Sequence, residues 1–174
     1  MNKKLALLIP VTTLLLTGCV GNTHYDSASY VKNVEWRRTG QDYRVLTLGD
    51  IHFSITDNYQ EHFDVMQKTI NSADPDLIVV NGDAFTFASK QTVVTLFTWL
   101  DTRKNKSGNP IDWTFTFGNH DDQGYYNDTY ISRLLAGDTY ENAKYIFLKD
   151  DDVTGRSNFV ISLRQNYAPV YNVF

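Results

Sequence analysis

The stretch WTFTFGNHDDQG, Trp113 to Gly124, decides how this chain is read. Trp113 to Phe117 is an aromatic and β-branched run, the composition of a strand that packs on a pleated surface. It ends through Gly118 in an amide, an imidazole and two carboxylates, Asn119, His120, Asp121 and Asp122. Two readings are open from these residues alone. One is a turn, because Asn and Asp form turns by bonding to nearby backbone. The other is a site where such groups hold a metal ion and move a proton. The choice turns on whether other strands of the chain end in the same way.

Working outward, two more strands do. LIVVNGD, Leu77 to Asp83, is a continuous apolar run of the kind buried on both faces, and it closes on Gly82-Asp83. RVLTLGD, Arg44 to Asp50, is followed by Ile51-His52. Helical patterns lie between them. Tyr59 to Ser72 carries Phe63, Met66 and Ile70 at helical spacing, with Asp57 or Asn58 as cap and Asp74-Pro75-Asp76 as terminator. Lys90 to Arg103 places Val93, Val94, Phe97 and Leu100 on one side, and Tyr126 to Ala136 reads as a third helix. Strand and helix in alternation predict parallel strands joined by crossover helices. Behind them the pattern turns to strands alone: Tyr145 to Leu148, Asn158 to Arg164 and Val170 to Phe174. Ahead of them, Val34 to Trp36 reads as a short edge strand.

The bulk figures suit one mixed α/β domain. The chain has 174 residues, 42% hydrophobic and 14% aromatic, so it has apolar surface to bury. Its net charge of −4 offers no basic face, and nucleic acid is not expected as a general partner. The single cysteine, Cys19, rules out an internal disulfide. Lys3 and Lys4 precede a short apolar run, Leu5 to Leu16, which has the make-up of an export signal. Leu16-Thr17-Gly18-Cys19 resembles the bacterial lipobox, which implies lipidation of Cys19 and an extracytoplasmic, membrane-anchored protein. An uncleaved anchor, or an ordinary signal with an incidental cysteine, is the alternative. The expected organisation is a signal over 1–19, a tether and edge strand over 20–42, and the domain over 43–174.

Taken together, the three strand ends favour a site over turns. In parallel α/β sheets the C-terminal strand ends share one edge, where ligands bind. Asp50, His52, Asp83, Asn119 and His120 are therefore expected to converge there. Asp50-Ile51-His52, Gly82-Asp83 and Gly118-Asn119-His120-Asp121 resemble the motifs of the calcineurin-like metallophosphoesterases, which include the purple-acid-phosphatase-like enzymes.

That resemblance implies a fold of two face-to-face sheets with helices outside, a four-layer α/β/β/α sandwich, of which this sequence matches the N-terminal part. It implies phosphate ester hydrolysis, of monoesters by preference, with two metal ions, Mn, Fe or Zn, about 3.5–4 Å apart. Asp50 and His52 would ligate the first ion, Asp83 would bridge, and Asn119 would ligate the second. His120 would be the general acid, and Asp121 would either orient or charge-stabilise it or serve as a simple turn carboxylate. The family completes its site with later histidines. Here there are four His in all and none follows His120. The chain also stops inside a strand-like run at Phe174. A part of a longer enzyme, weakly active alone, is therefore expected. The rival is a lipoprotein whose degenerate domain binds or supports without catalysis. His62 is expected on a helix surface or against the sheet, His24 in solvent, and Tyr125 and Tyr126 in packing. Arg37-Arg38 is too small a basic pair to bind phosphate by itself.

Overall fold

The computed structural model describes residues 30–38, 40–54, 58–147 and 158–173. The signal region, Cys19 and His24 lie outside these residues. The element order is β1 (Val31–Glu35), β2 (Val45–Leu48), α1 (Tyr59–Ala73), β3 (Leu77–Asn81), α2 (Lys90–Asp101), β4 (Asp112–Thr116), α3 (Asp128–Ala136), β5 (Val160–Gln165) and β6 (Ala168–Val173).

One sheet has the order β2-β3-β4, all parallel, with Val45 opposite Leu77 and Leu77 opposite Asp112. Alternation sorts its side chains between two faces. Ile78 and Val80 of β3 join Trp113 and Phe115 of β4 in the main core, where α1 adds Met66 and Ile70. Val93, Leu96, Phe97 and Leu100 of α2, and Ile131 and Leu135 of α3, close that core. Leu96, rather than the expected Val94, is fully buried with Val93 and Phe97. α2 opens with a reciprocal cap. Ser89 Oγ accepts from Thr92 N at 3.1 Å, and Thr92 Oγ1 accepts from Ser89 N at 3.0 Å. α1 ends at Asp74, in the left-handed region, whose N–H donates to Ile70 O at 2.8 Å.

The opposite face of β3 meets a second sheet, β1-β5-β6, in which β1 and β5 are parallel and β5 and β6 antiparallel. Leu77 packs there with Val34, Ile161 and Leu163, joined by Val79, Tyr43 and Phe159. The β5–β6 hairpin turns through Asn166 and Tyr167 at φ 51° and 65°, the backbone of a two-residue turn matched to strand twist. The described residues thus show helices, a sheet and a second sheet. The outer helical layer of the expected sandwich is not shown. Both sheets keep exposed apolar surface, at Val45 of β2 and at Val170 and Tyr171 of β6. No strand forms over 145–147. The chain instead bridges β4 once, at Ala143 opposite Trp113, and buries Tyr145, whose hydroxyl bonds to Ser132.

At the N-terminal edge of the first sheet an ion network joins the two sheets. Arg38, only 4% exposed, donates from Nε and Nη2 to the two oxygens of Asp76 at 2.7 and 2.8 Å. Its Nη1 donates to Asp74 Oδ2 at 2.7 Å. Arg37 and Lys144 both pair with the buried Asp112, each at 3.0 Å. Arg37-Arg38 is therefore structural. It ties the segment after β1 to the starts of β3 and β4, at the edge opposite the candidate site.

Candidate metal centre

Beyond the C-terminal ends of β2 and β3 the two chains stay zipped. Asp50 N donates to Gly82 O at 3.2 Å, His52 N to Asp83 O at 3.0 Å, and Phe53 N to Ala84 O at 2.8 Å. This pairing sets the candidate ligands side by side, and it does so at a conformational cost. Asp50, His52 and Asp83 have φ of 52°, 51° and 50°, three of the six non-glycine residues with positive φ among those described. Each such residue costs on the order of 1 kcal/mol.

β4 closes on this pair of loops from the other side. Gly82, at φ 76°, would put a Cβ 3.1 Å from Gly118 Cα. Gly118 would put one 2.2 Å from Asp83 Oδ1 and 2.4 Å from Asp83 N. The two glycines let the exits of β3 and β4 touch, backbone to backbone. In that contact His120 N donates to Asp83 Oδ1 at 2.9 Å.

The result is one cluster. Asp50, His52 and Asp83 each offer a ligand atom, and these atoms lie within 4.8 Å of one another. His52 Nε2 is 3.8 Å from Asp50 Oδ1, and the His120 ring stands edge-on to the His52 ring with centroids 5.1 Å apart. Two carboxylates and an imidazole, partly open to solvent, form a donor set suited to a transition-metal dication. Asn119 is exposed at the same exit, between Gly118 and His120. A cleft of about 490 Å³ runs along the outer side of β2 to α1, lined by Gly49 and Ile51, the neighbours of Asp50, and by His62, Val65 and Met66. His62 sits edge-on to Phe53 at 5.6 Å.

Of its two expected roles, Asp121 makes the contacts of a turn carboxylate. It is fully buried, and its Oδ2 accepts from Gly118 N at 2.8 Å while Oδ1 accepts from Phe85 N at 3.0 Å. Burial raises its pKa; the amides of Gly118, Phe85 and Asp83 act in the opposite sense. Asp121 thus fastens the β3 and β4 exits together and does not orient His120. The partner of His120 is Gln123, whose Oε1 lies 3.0 Å from Nδ1. The spacing of a turn, three residues on from the histidine, is the signal that would have found it. Tyr126 stacks on Tyr130 as a packing residue, but Tyr125 is 95% exposed, since the turn after Gly124 points it outward.

Comparison with known proteins bears on the same segment. A model of the calcineurin-like phosphoesterase family matches residues 43–168, from just before β2 to the start of β6. No curated protein and no solved structure matches the chain. Two neighbouring strand ends that gather two aspartates and a histidine at one sheet edge, within a family match covering most of the sequence, make this chain a member of the calcineurin-like phosphoesterase family.

Proposed function

We propose that this protein is a metal-dependent phosphoesterase, acting on phosphomonoesters as the purple-acid-phosphatase-like branch does. The observation that carries the reading is the gathering of Asp50, His52 and Asp83 within 4.8 Å, with the His120 ring against His52. Asp50 and His52 would hold a first ion, Mn, Fe or Zn, Asp83 would supply a carboxylate to both ions, and Asn119 would be a ligand to a second. Bound ions of this kind acidify a water toward neutrality and offset charge on the phosphoryl oxygens. The protein's own part is to hold the donors in place and to deliver a proton to the leaving oxygen from His120.

The sequence has four histidines, and none lies beyond His120, so ligands for two ions are incomplete within this chain. Turnover by this chain alone is therefore weak, and the full site needs donors from elsewhere. The same observation favours the second reading, a non-catalytic module that binds one ion. In either reading Lys3, Lys4, the apolar run Leu5 to Leu16 and Cys19 support a protein exported from the cytoplasm and anchored to a membrane by lipid. Among the described residues no helix is long and apolar enough to cross one.

Asp83→Asn separates the readings. The amide oxygen still accepts from His120 N, so the fold persists, while the bridging charge is lost. Turnover of p-nitrophenyl phosphate with Mn, Fe or Zn in the parent chain, abolished in Asp83→Asn at unchanged circular dichroism, supports the hydrolase. Turnover and Zn affinity that are both unchanged in Asp83→Asn sink it and leave the binding module.

A further inference from the structure

We propose that Gln123 is a positioning residue that locks the His120 imidazole in the Nδ1–H tautomer. The proposal rests on the reading of His120 as the proton donor. Three observations carry it. Gln123 Oε1 lies 3.0 Å from His120 Nδ1, and with the carboxamide in this orientation its oxygen only accepts, so the hydrogen bond forms with the proton on Nδ1. The contact is built by the backbone, because Gln123 N donates to His120 O at 3.1 Å and closes a turn that brings the side chain back under the ring. The turn is itself anchored, since Asp121 in its middle is buried and bonded to Gly118 N and Phe85 N. His120 N is tied to Asp83 Oδ1 at 2.9 Å, so both ends of the histidine are held.

The chemical consequence concerns Nε2. With Nδ1 committed to Gln123, Nε2 is the nitrogen left for the reaction. As the oxygen of the attacking water bonds to phosphorus and the bond to the leaving oxygen breaks, the imidazolium gives its Nε2 proton to that leaving oxygen. The neutral ring that remains is the Nδ1–H tautomer, already bonded to Gln123, so no ring flip follows. A neutral amide orients the ring without adding a third negative charge beside Asp50 and Asp83, which a carboxylate partner would do.

The test uses the full chain, labelled with 15N, without added metal and again with Zn. Long-range proton–nitrogen spectra at alkaline pH report which ring nitrogen of His120 is protonated, with assignment by comparison to His120→Ala. The parent chain is expected to show Nδ1–H. Gln123→Met, which keeps the length and removes the acceptor, is expected to relax toward the Nε2–H form, and Gln123→Glu to restore Nδ1–H. With p-nitrophenyl phosphate, kcat in Gln123→Met is expected to fall about 10- to 100-fold with KM nearly unchanged. An Nε2–H signal in the parent chain, or the same tautomer in parent and Gln123→Met, overturns the proposal. The expected tautomers with kcat equal in the parent and Gln123→Met uphold the positioning of His120 and refute the reading of it as an acid.

Discussion

Gly118→Ala is the perturbation that most directly probes how the site is assembled. The added Cβ would stand 2.2 Å from Asp83 Oδ1, 2.4 Å from Asp83 N and 2.7 Å from Asp83 Cγ, against 3.4 Å for ordinary contact. Asp83 Oδ1 must retreat by about 1.2 Å, the difference between 3.4 and 2.2 Å. Two of the three atoms belong to the polar core of the site and one is backbone, so rotation of a side chain does not relieve the clash. Forcing a methyl into a packed contact costs about 1–3 kcal/mol. The retreat also breaks the His120 N to Asp83 Oδ1 bond and strains Gly118 N to Asp121 Oδ2, and a bond to a charged group is worth about 1.5–3 kcal/mol. A loss of about 2.5–6 kcal/mol is therefore expected, read as a lowered urea midpoint at unchanged slope. Titration with Zn should show affinity reduced at least ~10-fold, because Asp83 leaves the cluster. Gly137→Ala is the control. Its nearest neighbour to a new Cβ is 3.5 Å away and its φ is −79°, so its stability should move by no more than about 1 kcal/mol, and upward. If Gly118→Ala matched the parent in both urea and Zn titrations, the close approach of the β3 and β4 exits would not be needed for the site.

Further predictions concern the anchors around that site. Asp121→Asn leaves one carboxamide N–H₂ facing a backbone N–H, where the carboxylate had an oxygen for each, and should cost about 1–3 kcal/mol in urea unfolding. Arg38→Ala strands Asp74 and Asp76 without their buried partner and should cost about 3–5 kcal/mol, with no loss of Zn affinity per folded molecule because the network lies at the far edge of the sheet. The Asp74 carboxyl is held below its ordinary 3.8, first by the backbone N–H of Lys106 at 2.7 Å and then by Arg38. A lowered folded-state value stabilises fully above the unfolded value and is lost as pH falls through the folded one. Acid unfolding of the parent should therefore steepen below about pH 4, and Asp74→Asn should flatten that limb; equal slopes would contradict it.

The parallel strands and the three helices were legible in the sequence because each has a local cause. Leu77 to Val80 and Trp113 to Phe117 are short apolar runs bounded by turn residues, and Phe63, Met66 and Ile70 repeat at helical spacing. The strand expected at Tyr145 to Leu148 shows the limit of that logic. Tyr145 and Phe147 are apolar for packing into the helix-side core, not for pairing, and periodicity does not distinguish the two. Arg38 shows another limit. Its partners Asp74 and Asp76 stand more than thirty residues away, and nothing local in Arg37-Arg38 signals burial.

By itself, the sequence determined that three strands end in a glycine beside aspartate, asparagine or histidine, since side-chain chemistry and spacing are properties of the chain. Only the tertiary structure decided which of those groups meet. Parallel pairing of β2, β3 and β4 aligns their C-terminal ends, and the left-handed backbone at Asp50, His52 and Asp83 turns the donors to within 4.8 Å. It also reassigned the neighbours of His120, sending Asp121 into the core as a bolt for backbone amides and bringing Gln123 to the ring. The physical reason is that a buried carboxylate must find donors, and the nearest ones were the N–H groups that two chain exits leave unpaired when they part from the sheet.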